Sequence, residues 1–176
     1  LVVAFVAPVG VRLRDLINHT AEYFQKFKYN PVEIRLSGLF ERCVGYVAPA
    51  SKNEDERILH GQAMGHRFRE NMNDAGAVAR AAVAAIREER TKLSGNPDEP
   101  ATSTVYFLNQ LKHPKEVKLL RAIYSSNFVL IAAHASKRTR QRTLIHEIAT
   151  KENRSVHEDD EAKANNIIRI DEEEPA

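Results

Sequence analysis

The chain opens with Leu1-Val2-Val3-Ala4-Phe5-Val6, six apolar residues in a row, closed by Ala7-Pro8-Val9-Gly10. No other stretch narrows the fold so far. A strand with one wet face alternates apolar and polar side chains, whereas a continuous apolar run fits a strand covered on both faces, the usual case in a parallel sheet. Val11, Leu13, Leu16, Ile17, Ala21, Phe24 and Phe27 then recur at helical spacing, which predicts a helix over residues 11–27 lying on one face of that sheet. Strand, tight turn at Gly10 and helix together form the unit that holds a nucleotide phosphate in many α/β proteins, because free N–H groups at the helix start face the anion. The full phosphate-loop signature also needs a lysine and a Ser/Thr directly after the last glycine. Val11 and Arg12 stand there instead, and Pro8 has no N–H to offer. The expected geometry comes without the catalytic side chains.

Further along, Val32-Glu33-Ile34-Arg35-Leu36 alternates as a strand does, after a turn at Tyr29-Asn30-Pro31. Ser37 is placed to cap a short helix running through Cys43, and residues 45–53 read as loop. From Asn53 or Glu54 the pattern is helical, with Ile58, Leu59, Gln62, Ala63 and Phe68 on one face. Asn73-Asp74 then precedes an alanine-rich helix over residues 75–92. A Gly/Pro-containing loop spans residues 94–103. Residues 104–108 and 127–133 are two more apolar strands, separated by a helix that Pro114 opens, where its missing N–H is harmless. Ser136 or Thr139 starts a helix to Thr150. Strands alternating with helices predict an α/β fold of three layers, a mostly parallel sheet flanked by helices, with residues 1–6 as a central strand.

Charge is divided along the chain. Residues 157–176 hold eight acids against Lys163 and Arg169, a net −6 that leaves +8 on residues 1–156 out of a total of +2. A basic body and an acidic tail result. The tail shows no clear period and is expected to be loop and partly disordered, with Ile167, Ile168 and Ile170 as its only apolar anchor. The single cysteine, Cys43, excludes an internal disulfide and favours an intracellular, cytoplasmic setting. No apolar run reaches the roughly 18 residues of a membrane span. The seven histidines make no metal-ligand spacing, and there is neither a Cys-x-x-Cys nor a His-x-Glu set. The chain begins inside a strand and closes on Glu174-Pro175-Ala176, so it reads as a piece of a longer protein.

Candidate anion-binding residues come from four stretches. Gly10 and Arg12 belong to the first loop, which could equally be a plain strand-to-helix turn needing Gly10 only for its backbone shape. Arg67 and Arg69 flank Phe68 and could clamp a phosphate bidentately, or simply sit on a solvated face. Lys112 leaves the carboxyl end of the third strand with Asn109, Gln110 and His113, at the ligand edge of a parallel sheet, where Lys112 and His113 could reach a nucleotide or as easily form a connecting turn. Arg138, Arg140 and Arg142 lie with Lys137 at a helix start, an unfavourable place for cations unless an anion accompanies them. Brought together, these cations predict an electropositive cleft for a nucleotide or another polyanion, since unpaired like charges otherwise repel.

Several of these stretches, in order, resemble the N-terminal domain of the bacterial anti-phage deoxycytidylate (dCTP/dCMP) deaminases. They are Val2 to Gly10, Ile34-Arg35-Leu36-Ser37, Gln62 to Arg69 and, most specifically, Val105 to Val117 continuing through Leu120-Arg121-Ala122-Ile123-Tyr124 to Phe128. The resemblance covers about residues 2–145. It implies a P-loop nucleotide-kinase-like domain over residues 1–151, with strand 1 between strands 3 and 4 and a final strand beyond Ala176. Residues 152–176 would be a tail or linker toward a zinc-dependent deaminase domain. In that domain a His-x-Glu and Pro-Cys-x-x-Cys set would activate water against C4 of cytosine. Zinc is therefore expected only there, and a nucleotide is the ligand expected here. A homo-oligomer is expected too, along with the inhibitory RNA or protein that some relatives use. Three functions follow as alternatives: a non-catalytic nucleotide-binding regulatory domain of such a deaminase, a working nucleoside-monophosphate-type kinase, or a ligand-free oligomerisation module.

Overall fold

The computed structural model describes residues 1–42, 46–49 and 53–173. Four parallel strands form one sheet in the order β2-β3-β1-β4, where β1 is Val2–Val6, β2 Asn30–Arg35, β3 Thr104–Asn109 and β4 Phe128–Ala132. β1 is central. Val2 to Phe5 pair with Tyr106 to Asn109 on one side, and Val2 to Val6 pair with Phe128 to Ala132 on the other. Strand 1 thus lies between strands 3 and 4, and its apolar run has the burial that its composition demanded: Val2, Val3, Ala4 and Phe5 are all buried.

Successive side chains of β1 alternate faces, so each layer receives half of the strand. Val3 and Phe5 pack with Val105 and Phe107 beneath α1 (Leu13–Lys26), whose Leu13 and Ile17 are buried. Phe5 and Phe107 meet edge to face, their ring centroids 5.4 Å apart. Val2 and Ala4 face the opposite layer, built from α2 (Leu36–Phe40), α3 (Glu54–Asn71), α4 (Ala77–Ser94) and α5 (Pro114–Tyr124). Ala79 and Ala82 of α4 are fully buried, and their small side chains let that helix lie close on the sheet.

Two further α-helices follow among the described residues: α6 (Lys137–Lys151) and α7 (Asp159–Glu173). α6 starts where Ser136 caps it, the Ser136 hydroxyl accepting from the Thr139 N–H at 3.3 Å. α7 corrects the expectation of loop and partial disorder over residues 159–173; residues 174–176 lie outside the described residues. Ala164, Ile167 and Ile168 form one stripe at i, i+3 and i+4, all at 0% exposure against Leu144 and Ile148 of α6. Asp159, Asp160 and Glu161 occupy the first turn, where negative charge suits the helix dipole. The acidity that resembled a solvated tail is concentrated at the helix ends.

Other boundaries shift by less. β2 begins at Asn30 and Leu36 already opens α2, so Ser37 lies inside that helix and does not cap it; Arg35 holds the cap position without a side-chain bond. The expected run of this helix to Cys43 falls outside the described residues.

Candidate functional site

The carboxyl ends of β1, β2 and β3 open onto a single large cavity of about 1070 Å³, roofed by α3 and α6. Its size is that of a generous small-molecule site. Each wall follows from the local sequence. β2 ends on Arg35 and delivers that guanidinium to the rim. β3 ends on Asn109, and the next two residues, Gln110 and Leu111, lie across the end of β1. There the Leu111 N–H donates to the Phe5 carbonyl at 3.0 Å, and the Gln110 amide donates to the Ala7 carbonyl. From α6, Arg142, Thr143, His146 and Glu147 line the opposite wall, as residues at i, i+1, i+4 and i+5 share one helix face.

The turn after β1 is not an open phosphate cradle. The Val11 N–H donates to the Pro8 carbonyl, Leu13 to Val11 and Asp15 to Arg12, so donors a phosphate would need are engaged within the backbone. The Val9 N–H goes to the Asp171 carboxylate at 2.8 Å. Gly10 adopts φ +83°, and a Cβ there would lie 2.6 Å from the Arg140 carbonyl oxygen. Both backbone shape and helix contact demand glycine, whatever the ligand.

The eight predicted site residues divide. Arg12, Arg69, Lys112 and Arg142 line the cavity; Gly10, Arg67, Arg138 and Arg140 do not. Arg67 and Arg138 are exposed. The expectation of unpaired cations is corrected at four positions: Arg12 pairs with Asp15 at 2.7 Å, Arg69 with Glu116 at 3.2 Å, Lys112 with Asp171 at 2.6 Å, and Arg140 with Glu172. The crowded charge at the start of α6 is balanced from α7, whose Glu172 also meets Lys137 at 3.3 Å. Helix partners 35 and 32 residues distant in sequence do not show in a local charge pattern.

Residues outside the eight predicted positions also line the cavity. Among the described residues neither Arg35 nor Arg142 has an ion-pair partner. Gln62 presents an amide whose oxygen and nitrogen are both buried and make no hydrogen bond among the described residues. Such a group is costly unless something else pairs with it. Arg35 could have been found as a cation at the carboxyl end of a strand; for Gln62 neither its helical spacing nor its place in the stretch Gln62 to Arg69 pointed to a ligand. Glu116 is fully buried, and its Oε2 accepts from the Lys112 and His113 N–H groups at 2.9 and 3.1 Å.

Burial raises the pKa of Glu147, and the nearby Glu54 charge adds to the rise, while Arg57 and Lys151 oppose it. Glu54, 4% exposed, is held bidentately by Arg57 at 2.5 and 2.7 Å. A carboxylate whose folded pKa is raised costs stability while ionised, and the cost falls away as pH drops through that folded value. Glu147→Gln is therefore expected to raise the thermal midpoint at pH 7 and to flatten the rise in stability between pH 7 and pH 5. Thermal unfolding followed across that range checks it; an unchanged profile counts against the burial.

No family model matches the chain, and no curated protein matches it. Among the described residues there is no group of three or more His, Cys, Asp or Glu side chains able to hold a metal ion, and no helix long and apolar enough to cross a membrane.

Proposed function

We propose that this chain is a nucleotide-binding regulatory domain that acts with a zinc-dependent deoxycytidine-nucleotide deaminase, holding a nucleotide in the edge cleft without transferring its phosphate. The observation that carries the binding reading is the meeting, in one cavity, of Arg35 and Arg142, without ion-pair partners among the described residues, with the amide of Gln62, which makes no hydrogen bond among them. Guanidinium groups match phosphate oxygens bidentately. An amide that both donates and accepts complements the edge of a nucleobase. The link to a deaminase rests on the ordered sequence resemblance over residues 2–145, and the deaminating zinc centre belongs to the partner domain in this reading.

Phosphoryl transfer is disfavoured by the same cavity. Transfer depends on cations and Mg²⁺ arranged around the phosphates, and in the turn after β1 the Val9 and Val11 N–H groups are engaged and no lysine follows Gly10. A kinase would release ADP from ATP and a deoxynucleoside monophosphate; this domain is expected to release none.

Calorimetry with deoxycytidine mono- and triphosphates tests the binding. Arg35→Ala/Arg142→Ala should weaken it at least tenfold, whereas Arg67→Ala, an exposed position outside the cavity, should leave it unchanged. Equal affinity of the double variant and the parent protein would sink the cleft assignment.

A further inference from the structure

The last turn of α7 reaches the turn after β1 and places a carboxylate there. Asp171 Oδ2 accepts from the Val9 N–H at 2.8 Å, and Oδ1 accepts from Lys112 Nζ at 2.6 Å. The Asp171 side chain is only 6% exposed. Drying a carboxylate to that extent is expensive unless its charge is met, and the groups that meet it are a backbone N–H following the central strand and a lysine. Phosphates are bound by that same pairing of donors. The next residue, Glu172, binds Arg140, a guanidinium just 6% exposed whose Nη1 also donates to the Val9 carbonyl at 3.4 Å. Arg140 Nε is buried with no hydrogen-bond partner among the described residues, so the cationic side retains an unused donor.

We infer that Val9, Lys112 and Arg140 form an anion site that the chain fills with its own Asp171 and Glu172, and that a phosphate chain takes this site only when the last turn of α7 withdraws. The inference rests on the reading of the adjoining cleft as a nucleotide site, for Val9 and Lys112 both line that cavity. Its ligand is the polyphosphate portion of a nucleoside triphosphate, which carries more negative charge than the two carboxylates it displaces. Withdrawal does not require the whole helix to leave. Ala164, Ile167 and Ile168 anchor the middle of α7 to α6 independently of Asp171. The acidic end of α7 thus competes with ligand in cis, and the apparent affinity is reduced by the fraction of molecules in which the site is filled.

The probe is inorganic tripolyphosphate, titrated into the full chain by calorimetry. Asp171→Ala should bind it at least tenfold more tightly than the parent protein, and Lys112→Met added to that variant should abolish the gain. Asp171→Asn, which keeps the shape and removes the charge, should tighten binding in the same direction. Amide exchange supplies a readout in the unaltered protein: tripolyphosphate should speed exchange over residues 169–173 while residues 164–168 stay protected. The inference is overturned if Asp171→Ala binds no more tightly, if neither protein binds, or if binding leaves exchange over residues 169–173 unchanged. Its failure is separable from that of the cleft. Deoxycytidine monophosphate binding that depends on Arg35 and Arg142, beside an indifferent Asp171→Ala, removes only the α7 competition. Tighter tripolyphosphate binding beside an indifferent Arg35→Ala/Arg142→Ala removes only the cleft assignment.

Discussion

Glu116→Ala is expected to lower the folding free energy by about 3–5 kcal/mol, the range for removing one partner of a buried charged pair. Three donors converge on this fully buried carboxylate: the Lys112 and His113 N–H groups and the Arg69 guanidinium. Alanine leaves the two backbone N–H groups unmet, together with the end of a capping box in which the His113 ring accepts from the Lys115 N–H at 3.0 Å. Glu116→Gln keeps one acceptor and the shape but loses the charge, so it should fall between, at roughly 1–3 kcal/mol. Against the usual 5–15 kcal/mol of a whole domain, either loss is large. Urea unfolding gives the numbers, with a shifted midpoint at constant slope as the expected form. A loss under about 1 kcal/mol for the alanine variant would mean that Glu116 does not hold the cleft wall together. Nucleotide binding should weaken with it, because Lys112 and Arg69 both take their positions from this carboxylate.

The second large effect is expected in α7. Ile168→Ala should cost about 2–5 kcal/mol, as for other fully buried large-to-small changes, since Ile168 is 0% exposed in the cluster that joins α7 to α6. Amide exchange should then quicken over residues 159–173 well before it does in β1 or β3. Uniformly slow exchange would show that Ile168 does not anchor the helix. The other end of α7 is held electrostatically. Asp160 is fully buried, and bidentate hydrogen bonds from Arg154, both 2.7 Å, hold its carboxyl far below the usual range, with the His157 N–H assisting at 2.8 Å. A depressed acid contributes stability above its unfolded pKa of roughly 3.9 and loses it as pH falls toward the folded value. Glu172 is lowered in the same direction, chiefly by Arg140. Acid should therefore release α7 only below about pH 4, while Glu147 acts with the opposite sign at higher pH.

What the sequence determined by itself is the sheet and the helices laid on it. A six-residue apolar run can be satisfied only by burial on both faces, which made β1 central, and the repeating strand-helix order made the sheet parallel. The position of the cleft followed as well, since residues just beyond parallel strands gather at one edge; Lys112 and Arg142 are there. Short-range chemistry was equally readable, as at Ser136 and Pro114, because a cap is made by neighbours a few residues away. The pairing of charges was decided by tertiary structure alone. Arg140 and Glu172 lie 32 residues apart, Lys112 and Asp171 59, and Val9 and Asp171 162, distances over which no local pattern connects them. α7 marks the same limit. Its acids argued for a solvated tail, and its short Ala164-Ile167-Ile168 stripe could offset the entropy of ordering only once α6 offered a matching apolar face.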